Sequence, residues 1–164
     1  AVARHAEVLG EVLGGGSACE AEGLLTIRDD GDGVVRAIHQ ALDDAKLRPE
    51  DVGMIVAHGN GTPQSDASEA TAFRQVFGTA MPPVTAFKWA FGHLIAAAGI
   101  LDAVLALAAL KQRVVPGIAT LETVARDCAG LPLSAAPQVP RSDVALVICR
   151  GFAGTNAALL VRAA

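Results

Sequence analysis

The most constraining feature of the sequence is a nearly uninterrupted apolar run over residues 94–110. A membrane span is one explanation of such a run. Against it, Asp102 lies near the middle, and the run is shorter than the roughly 20 residues that a bilayer requires. We therefore predict no membrane span but a buried helix over about residues 94–111. Small residues at 96–99 would let its first turns approach another backbone closely.

Short apolar segments alternate with helical patterns along the rest of the chain. Residues 52–57 and 144–149 are continuously apolar, as in strands buried on both faces. Further strands are predicted over 7–13, 84–87 and 157–161, the last in a hairpin with 144–149, and Gly14–Gly16 are expected to end the first strand in a bend. Helices are predicted over 32–46, capped by Asp32, and from a capping box of Asp66 and Glu69 to about Gly78. This alternation predicts an α/β domain with a layered mixed sheet and a buried helix.

Composition narrows the class of protein. The 164 residues suit one domain, 1–164, with a sizeable core. With 52% hydrophobic and only 18% charged residues, part of the surface is expected to lie against another chain. A net charge of −4 provides no basic field for nucleic acid. The odd number of cysteines, Cys19, Cys128 and Cys149, and the lack of a signal peptide predict a reducing, cytoplasmic location without disulfides.

Three turns with unusual residues follow apolar elements. His58 comes after strand 52–57 and is followed by Gly59 and Gly61, while Lys88 and His93 directly precede the apolar helix. Phe152 lies in a glycine-flanked turn after strand 144–149. Because sites in α/β sheets form at the carboxyl ends of strands, we predict that the two histidine turns face each other across one site.

The chemistry of this site follows from the residue types. Two imidazoles can donate hydrogen bonds to one developing oxyanion, and Lys88 can bias their tautomers. Glu69 or Asp66 could pair with Lys88. A zinc site at His58 and His93 would lack a third ligand at useful spacing, so no metal is predicted. No serine nucleophile elbow is present, and the cysteines are assigned structural roles.

Three motifs resemble those of β-ketoacyl synthases. Residues 55–63, with Asp66 and Glu69, resemble the first histidine motif of that family. Residues 88–99 resemble its second histidine motif, residues 114–116 the segment that follows, and residues 151–156 its terminal glycine-rich turn. The motifs occur in the family's order and cover nearly the whole chain. The resemblance implies the C-terminal half of a thiolase-like fold, with the nucleophilic cysteine in an N-terminal half absent from these residues.

The resemblance also implies a reaction, the decarboxylative Claisen condensation of an acyl thioester with a malonyl group on an acyl carrier protein, in fatty acid or polyketide synthesis. His58 and His93 would stabilise the enolate oxygen, supported by Lys88 together with Glu69 and Asp66. No cofactor is implied, because the substrates are carried on phosphopantetheine. The partners implied are the N-terminal half, the carrier protein and a second copy in a dimer.

Other site residues are carried over from the same motifs. Phe152 would gate the acyl pocket, and its turn with Gly151 would form the oxyanion hole. Asn60 and Thr62 would contact the pantetheine arm. The chain departs from the family in two places, since Asn60 stands where the family usually has Thr and Arg150 where it usually has Phe. A cation at Arg150 could alter gating or carrier docking.

Two alternatives to an enzyme half remain open at this point. One is a non-catalytic partner subunit similar to a chain-length factor, although such subunits often lose the histidines that this chain keeps. The other is an interaction domain that pairs through its apolar faces. For the chain alone we expect no condensation activity and a tendency to associate.

Overall fold

The computed structural model describes residues 2–164 and shows one mixed sheet with helices on both faces. The strands are β1 Gly10–Cys19, β2 Met54–Val56, β3 Val84–Thr85, β4 Val144–Arg150 and β5 Thr155–Ala163. The α-helices are α1 Asp32–Ala45, α2 Pro63–Phe77, α3 Lys88–Phe91 and α4 Ala98–Lys111. Short 3-10 helices cover Val2–Arg4, Pro49–Asp51, Gly78–Ala80, Ile95–Ala97 and Arg126–Cys128.

The strand order is β1-β5-β4-β2-β3. β2 is parallel to both of its neighbours, β3 and β4, whereas β5 is antiparallel to β4 and β1. The α/β prediction, the mixed sheet and the hairpin of β4 and β5 are confirmed. Because β2, β3 and β4 run in the same direction, their carboxyl ends lie at one edge of the sheet, and the residues that follow them are brought together there.

The central strands are buried on both faces, as their continuous apolar sequences predict. On one face, Ile55 of β2 and Leu146 of β4 belong to a core that includes α1 and α2. On the other face, Met54 and Val147 pack in a second core with α4. The three layers hold the carboxyl edge of the sheet rigidly between two sets of helices.

The glycine run is not the bend that the sequence suggests, because Gly14–Gly16 continue strand β1. They pair with Leu160, Leu159 and Ala158 of β5. α1 crosses this part of the strand so closely that a Cβ on Gly14 would lie 2.7 Å from the carbonyl oxygen of Ala41. The glycines permit close packing of a helix on a strand rather than a turn.

Two predicted helix caps are wrong. Asp32 is the first residue of α1 rather than its cap, and its backbone N–H donates to the carboxylate of Asp30 at 3.0 Å. α2 begins three residues earlier than the predicted capping box, at Pro63, so Asp66 and Glu69 lie inside the helix. Proline suits a first helical position because its missing N–H would have no intrahelical partner there.

The apolar run forms a shorter helix than predicted, and the helix is buried on one side only. A 3-10 turn over Ile95–Ala97 precedes α4, which starts at Ala98. Asp102 and Ala106 face the sheet and are buried, whereas Ile100 and Val104 on the opposite side are 67% and 53% exposed. Nothing within residues 2–164 covers that side. No helix in this described part of the chain is long and apolar enough to cross a membrane.

Candidate active site

His58 lies two residues beyond the end of β2 and is only 2% exposed. The carboxylate of Glu69, on α2, accepts the backbone N–H of His58 at 2.8 Å and that of Gly59 at 3.0 Å. Gly59 has φ 47°, and a Cβ there would lie 2.6 Å from the Cβ of Ala86. Glycine is therefore required for the tight turn that presents the imidazole.

His93 lies in the turn that joins α3 to the 3-10 helix before α4. Gly92, with φ 78°, makes this turn possible. The ring centroids of His58 and His93 are 5.0 Å apart, with an angle of 74° between the ring planes. The two histidine turns therefore face each other, but His93 is exposed and the helix that follows does not bury it.

Each imidazole accepts a backbone hydrogen bond at Nδ1. The N–H of Arg150 donates to Nδ1 of His58 at 3.2 Å, and the N–H of Ile95 donates to Nδ1 of His93 at 3.0 Å. A neutral imidazole that accepts at Nδ1 carries its proton on Nε2. Both rings are thus set up as Nε2–H donors, which can stabilise a negatively charged oxygen between them.

His58 is held in the neutral form. Burial lowers its pKa to about 3, and the positive charges of Lys88 and Arg150 act in the same direction. At neutral pH this ring can donate a hydrogen bond but does not bring a positive charge to the site.

Lys88 pairs with Asp102 and not with Glu69 or Asp66. Its Nζ lies 2.7 Å from Oδ2 of Asp102, and the two side chains are 4% and 1% exposed. The expected pairing with a carboxylate of α2 is wrong, because α2 packs on the opposite face of the sheet from α4. Sequence reasoning missed this role of Asp102, although a lone acid in an apolar helix is a signal that a buried cation needs a partner.

The two carboxylates of α2 have separate environments. Glu69 is 2% exposed, and burial raises its pKa to about 7 although its two backbone N–H partners oppose that shift. Asp66 is half-buried, its Oδ1 has no hydrogen-bond partner among the described residues, and burial raises its pKa. Glu69 fixes the His58 turn through its two backbone hydrogen bonds, whereas Asp66 lies one turn earlier in α2.

Asn60 and Thr62 lie at the outer rim of the His58 turn. Oδ1 of Asn60 accepts the backbone N–H of Thr62 at 3.0 Å and its hydroxyl at 2.8 Å. This Asx-type turn directs the chain into α2.

The glycine-rich turn between β4 and β5 brings Gly151 and Phe152 to the same edge. The N–H of Gly151 donates to the carbonyl oxygen of Thr155 at 2.8 Å and closes the hairpin. The Phe152 ring is 67% exposed.

Comparison with known proteins identifies the family of the chain. Residues 9–122 match the sequence model of the family described as "Beta-ketoacyl synthase, C-terminal domain". The chain belongs to the β-ketoacyl synthase family. The resemblance seen in the histidine motifs is confirmed, and with it the thiolase-like fold.

Two relatives and two solved structures show the extent of the match. The tetracenomycin polyketide synthase ketoacyl synthase beta subunit of Streptomyces glaucescens is 41% identical over 133 residues, which are 79% of this chain and 32% of that protein. The 3-oxoacyl-acyl-carrier-protein synthase 2 of Synechocystis sp. is 36% identical over 164 residues, which are 97% of this chain and 39% of that protein. The ishigamide ketosynthase/chain length factor superposes with a TM-score of 0.91 at 32% identity, over 99% of this chain and 40% of that one. The ketosynthase bound to the type II acyl-carrier protein AntF gives a TM-score of 0.92 at 28% identity, with the same coverage.

This β-ketoacyl synthase domain therefore spans about two-fifths or less of its relatives' length. Its own cysteines are poorly suited to be nucleophiles. Burial raises the pKa of both Cys128 and Cys149, which lowers their thiolate fraction, and Sγ of Cys19 donates to the carbonyl oxygen of Ala153 at 3.2 Å. No group of three or more His, Cys, Asp or Glu side chains within the described range could hold a metal ion.

Two concave surfaces of the domain lie near the site without including the histidine pair. A cavity of about 300 Å³ lies behind the His58 turn, lined by Gly59, Glu69, Phe73 and Trp89 among others. A polar groove of about 610 Å³ lies beside α2, around Arg74 and Arg126. Neither is lined by His58 or His93. His93 thus lies at an open edge of the domain, whereas His58 is buried next to it.

Proposed function

We propose that this chain is the C-terminal half of a two-half β-ketoacyl synthase that catalyses decarboxylative condensation of an acyl thioester with a malonyl group on a carrier protein. The observation that carries the proposal is the pair of imidazoles 5.0 Å apart, each with Nδ1 occupied by a backbone N–H. Two fixed Nε2–H donors suit a reaction in which negative charge develops on one thioester oxygen.

In the proposed reaction the malonyl carboxylate leaves as CO₂. The electron pair of the broken C–C bond forms an enolate, whose oxygen accepts hydrogen bonds from Nε2 of His58 and His93. The enolate carbon then attacks the carbonyl carbon of the acyl group, which is held as a thioester on a cysteine of the N-terminal half. The C–S bond breaks and the thiolate is released. A neutral His58 suits this role because it donates a proton in a hydrogen bond without transferring it.

Lys88 supports the pair electrostatically. Its charge contributes to the lowered pKa of His58, and its ion pair with Asp102 holds it in place beside the start of α4. Glu69 acts through the backbone, since it holds the N–H groups of His58 and Gly59. Asp66 is a supporting residue of the same side, with one oxygen that an ordered water or substrate group would satisfy.

The rim residues provide the contacts for the carried substrate. We assign Asn60 and Thr62 to the pantetheine arm, because both lie at the outer edge of the His58 turn. Gly151 and Phe152 are assigned to the oxyanion turn and the acyl gate. Gly151 and Phe152 are exposed in this chain, and the N-terminal half would cover them from the other side of the site. The carrier protein would dock at the same edge, and the complete protein would form a dimer.

The test is CO₂ release from a malonyl-carrier protein by this chain assembled with its N-terminal half. We expect His58→Ala and His93→Ala each to lower kcat by about 100-fold or more, as for loss of an oxyanion donor. His39→Ala is the matched control, because His39 is exposed on α1. Release at the wild-type rate in both site variants would overturn the assignment.

A second candidate is a non-catalytic subunit similar to a chain-length factor. It is favoured by the 41% identity to a ketoacyl synthase beta subunit and by the superposition on a ketosynthase/chain length factor. The two candidates predict different dependence on the histidines. A partner subunit would raise the activity of a separate ketosynthase whether or not His58 is replaced, whereas the enzyme half would lose release with His58→Ala.

A further inference from the structure

Arg150 ends β4, and its guanidinium points into the domain. The side chain is 6% exposed. It donates to Oδ1 of Asn156 at 2.9 Å, to the carbonyl oxygen of Ser65 at 3.1 Å and to Oε1 of Glu20 at 3.0 Å. The three acceptors belong to β5, the first turn of α2 and the segment after β1. One side chain thus joins three separate parts of the fold at the edge that carries the site.

The partner carboxylate is fully enclosed as well. The Glu20 side chain is 0% exposed, and besides Arg150 it accepts from Nδ2 of Asn156 at 2.9 Å and from the backbone N–H of Arg28 at 2.8 Å. A buried charge pair is tolerated when its remaining donors and acceptors are satisfied, as they are here. The planar guanidinium has few alternative positions that would keep all three acceptors.

The backbone of the same residue contacts His58. The N–H of Arg150 is the donor to Nδ1 of His58 at 3.2 Å. The next residue, Gly151, begins a turn in which Gly154 has φ 68°, and the N–H of Gly151 closes the hairpin on the carbonyl oxygen of Thr155. The contacts that fix the Arg150 backbone therefore also fix the N–H group that donates to Nδ1 of His58.

We propose that Arg150, through its buried contacts with Glu20, Asn156 and Ser65, is a positioning residue that keeps its own N–H against Nδ1 of His58 and so selects the Nε2–H tautomer. The importance of that tautomer for catalysis rests on the proposed function. The hydrogen-bond geometry itself does not, and it can be measured in the chain alone.

The first experiment reads the ring nitrogens of His58 by ¹⁵N NMR at neutral pH. In the wild type we expect Nδ1 to be unprotonated and Nε2 protonated. In Arg150→Met and Arg150→Lys we expect the Nδ1–H tautomer to rise by roughly tenfold, the ratio that corresponds to loss of one hydrogen bond. Lysine keeps the positive charge but not the planar set of guanidinium donors. If Arg150→Lys fails to restore the wild-type tautomer, the effect depends on the positions of the donors and not on the charge alone.

Arg162→Met is the matched control. Arg162 of β5 also pairs with a glutamate of β1, Glu11, at 3.0 Å, but the two side chains are 38% and 57% exposed. We expect the ¹⁵N signals of His58 in Arg162→Met to equal those of the wild type. Wild-type His58 signals in folded Arg150 variants would overturn the proposal. Glu20→Gln with Arg150→Gln is the second variant, in case Arg150→Met leaves Glu20 buried without a partner and unfolds the chain.

A measurement on the wild type tests the buried contacts of Arg150 even if no variant folds. The Nε–H of Arg150 should exchange with water at least roughly tenfold more slowly than that of Arg162, because its donors are enclosed. Equal exchange rates at the two arginines would contradict the buried contacts of Arg150.

In the assembled enzyme, Arg150→Lys should lower kcat for CO₂ release with little change in KM. A normal tautomer with lost activity would count against this inference alone, whereas an altered tautomer with normal activity would count against the proposed role of His58.

Discussion

Lys88 and Asp102 form an ion pair inside the domain, where neither group has access to water. Such a pair contributes little net stability compared with apolar residues of similar size, but removal of one member leaves a buried charge without a partner. Oδ1 of Asp102 already lacks a partner among the described residues, so the site tolerates no further loss. The pair is therefore explained by the effect of the Lys88 charge on His58 rather than by a gain in stability.

The first prediction follows from this imbalance. Asp102→Leu should lower the free energy of unfolding by about 3–5 kcal/mol, because the Lys88 ammonium is left buried alone. The double variant of Asp102→Leu with Lys88→Met should recover most of that loss. Urea unfolding measures both. The control is Lys111→Met, which breaks an exposed pair with Glu7 and should change stability by less than about 1 kcal/mol. A double variant as unstable as the single one would contradict the argument.

Glu69 gives the second prediction, a pH dependence of stability. Its pKa is 4.5 ordinarily and about 7 in the fold. Between these values the folded state keeps a proton that the unfolded state has lost, so this contribution to stability is present below about pH 4.5 and is lost as the pH rises to 7. The free energy of unfolding of the wild type relative to Glu69→Gln should fall by up to about 1.4 kcal/mol per pH unit in this window.

Urea titrations at several pH values test this dependence. The comparison with Glu69→Gln is needed because His58, whose pKa is lowered to about 3, contributes stability in the opposite direction as the pH rises from about 3 to 6.5. Glu50→Gln, at an exposed position, should give a profile parallel to the wild type. A parallel profile for Glu69→Gln as well would show that Glu69 is not buried as described.

At the scale of the elements, the contact of β1 with α1 depends on which glycines face the helix. A Cβ on Gly14 would meet the backbone of α1 at Ala45 and Ala41, as close as 2.6 Å. Gly15 points to the other face, where its nearest neighbour would be at 3.8 Å. The alternation of a strand thus separates glycines that the packing requires from one that it does not.

The third prediction compares these two positions. Gly14→Ala should lower the free energy of unfolding by about 1–3 kcal/mol, because the methyl group forces α1 away from the strand. Gly15→Ala should be neutral or raise stability by up to about 1 kcal/mol, since alanine loses less backbone entropy on folding. Thermal or urea unfolding distinguishes the two. Equal effects at both positions would mean that the glycine run is a loop after all.

For the whole molecule, the dominant feature is an apolar surface that continues from the site along α4. It consists of Leu94, Ile95, Ile100 and Val104, which are between 43% and 67% exposed. A contiguous apolar surface of this kind marks an interface. The matched relatives are more than twice as long as this chain, which supports an N-terminal half as the occupant.

The fourth prediction concerns the chain by itself. At micromolar concentration it should self-associate through this surface, and Ile100→Glu with Val104→Glu should shift it toward a monomer without loss of helix content. Sedimentation and circular dichroism measure the two properties. His39→Glu, on the opposite face of the sheet, is the control and should leave association unchanged. A wild-type chain that is monomeric throughout would contradict the assignment of the interface.

Much of the framework could be predicted from local patterns. The continuous apolar runs of β2 and β4 indicated strands covered on both faces, and the glycine-flanked histidines indicated the edge at which they meet. The prediction failed where spacing alone had to choose partners. Asp66 and Glu69 were expected beside Lys88, but α2 and α4 lie on opposite faces of the sheet. Spacing alone also failed at Gly14–Gly16, because a run of glycines occurs both in loops and in strands that pack closely under a helix.

The sequence by itself determined the fold class, the family and the two histidine turns that face each other, because apolar periodicity and contiguous motifs are local properties of a chain. The tertiary structure alone decided which charges meet. Lys88 pairs with Asp102, 14 positions away, and Arg150 pairs with Glu20, 130 positions away. Such partners depend on how helices are distributed over the two faces of the sheet and on which buried charges must be neutralised. No spacing in the sequence contains that information, because burial is a property of the assembled layers.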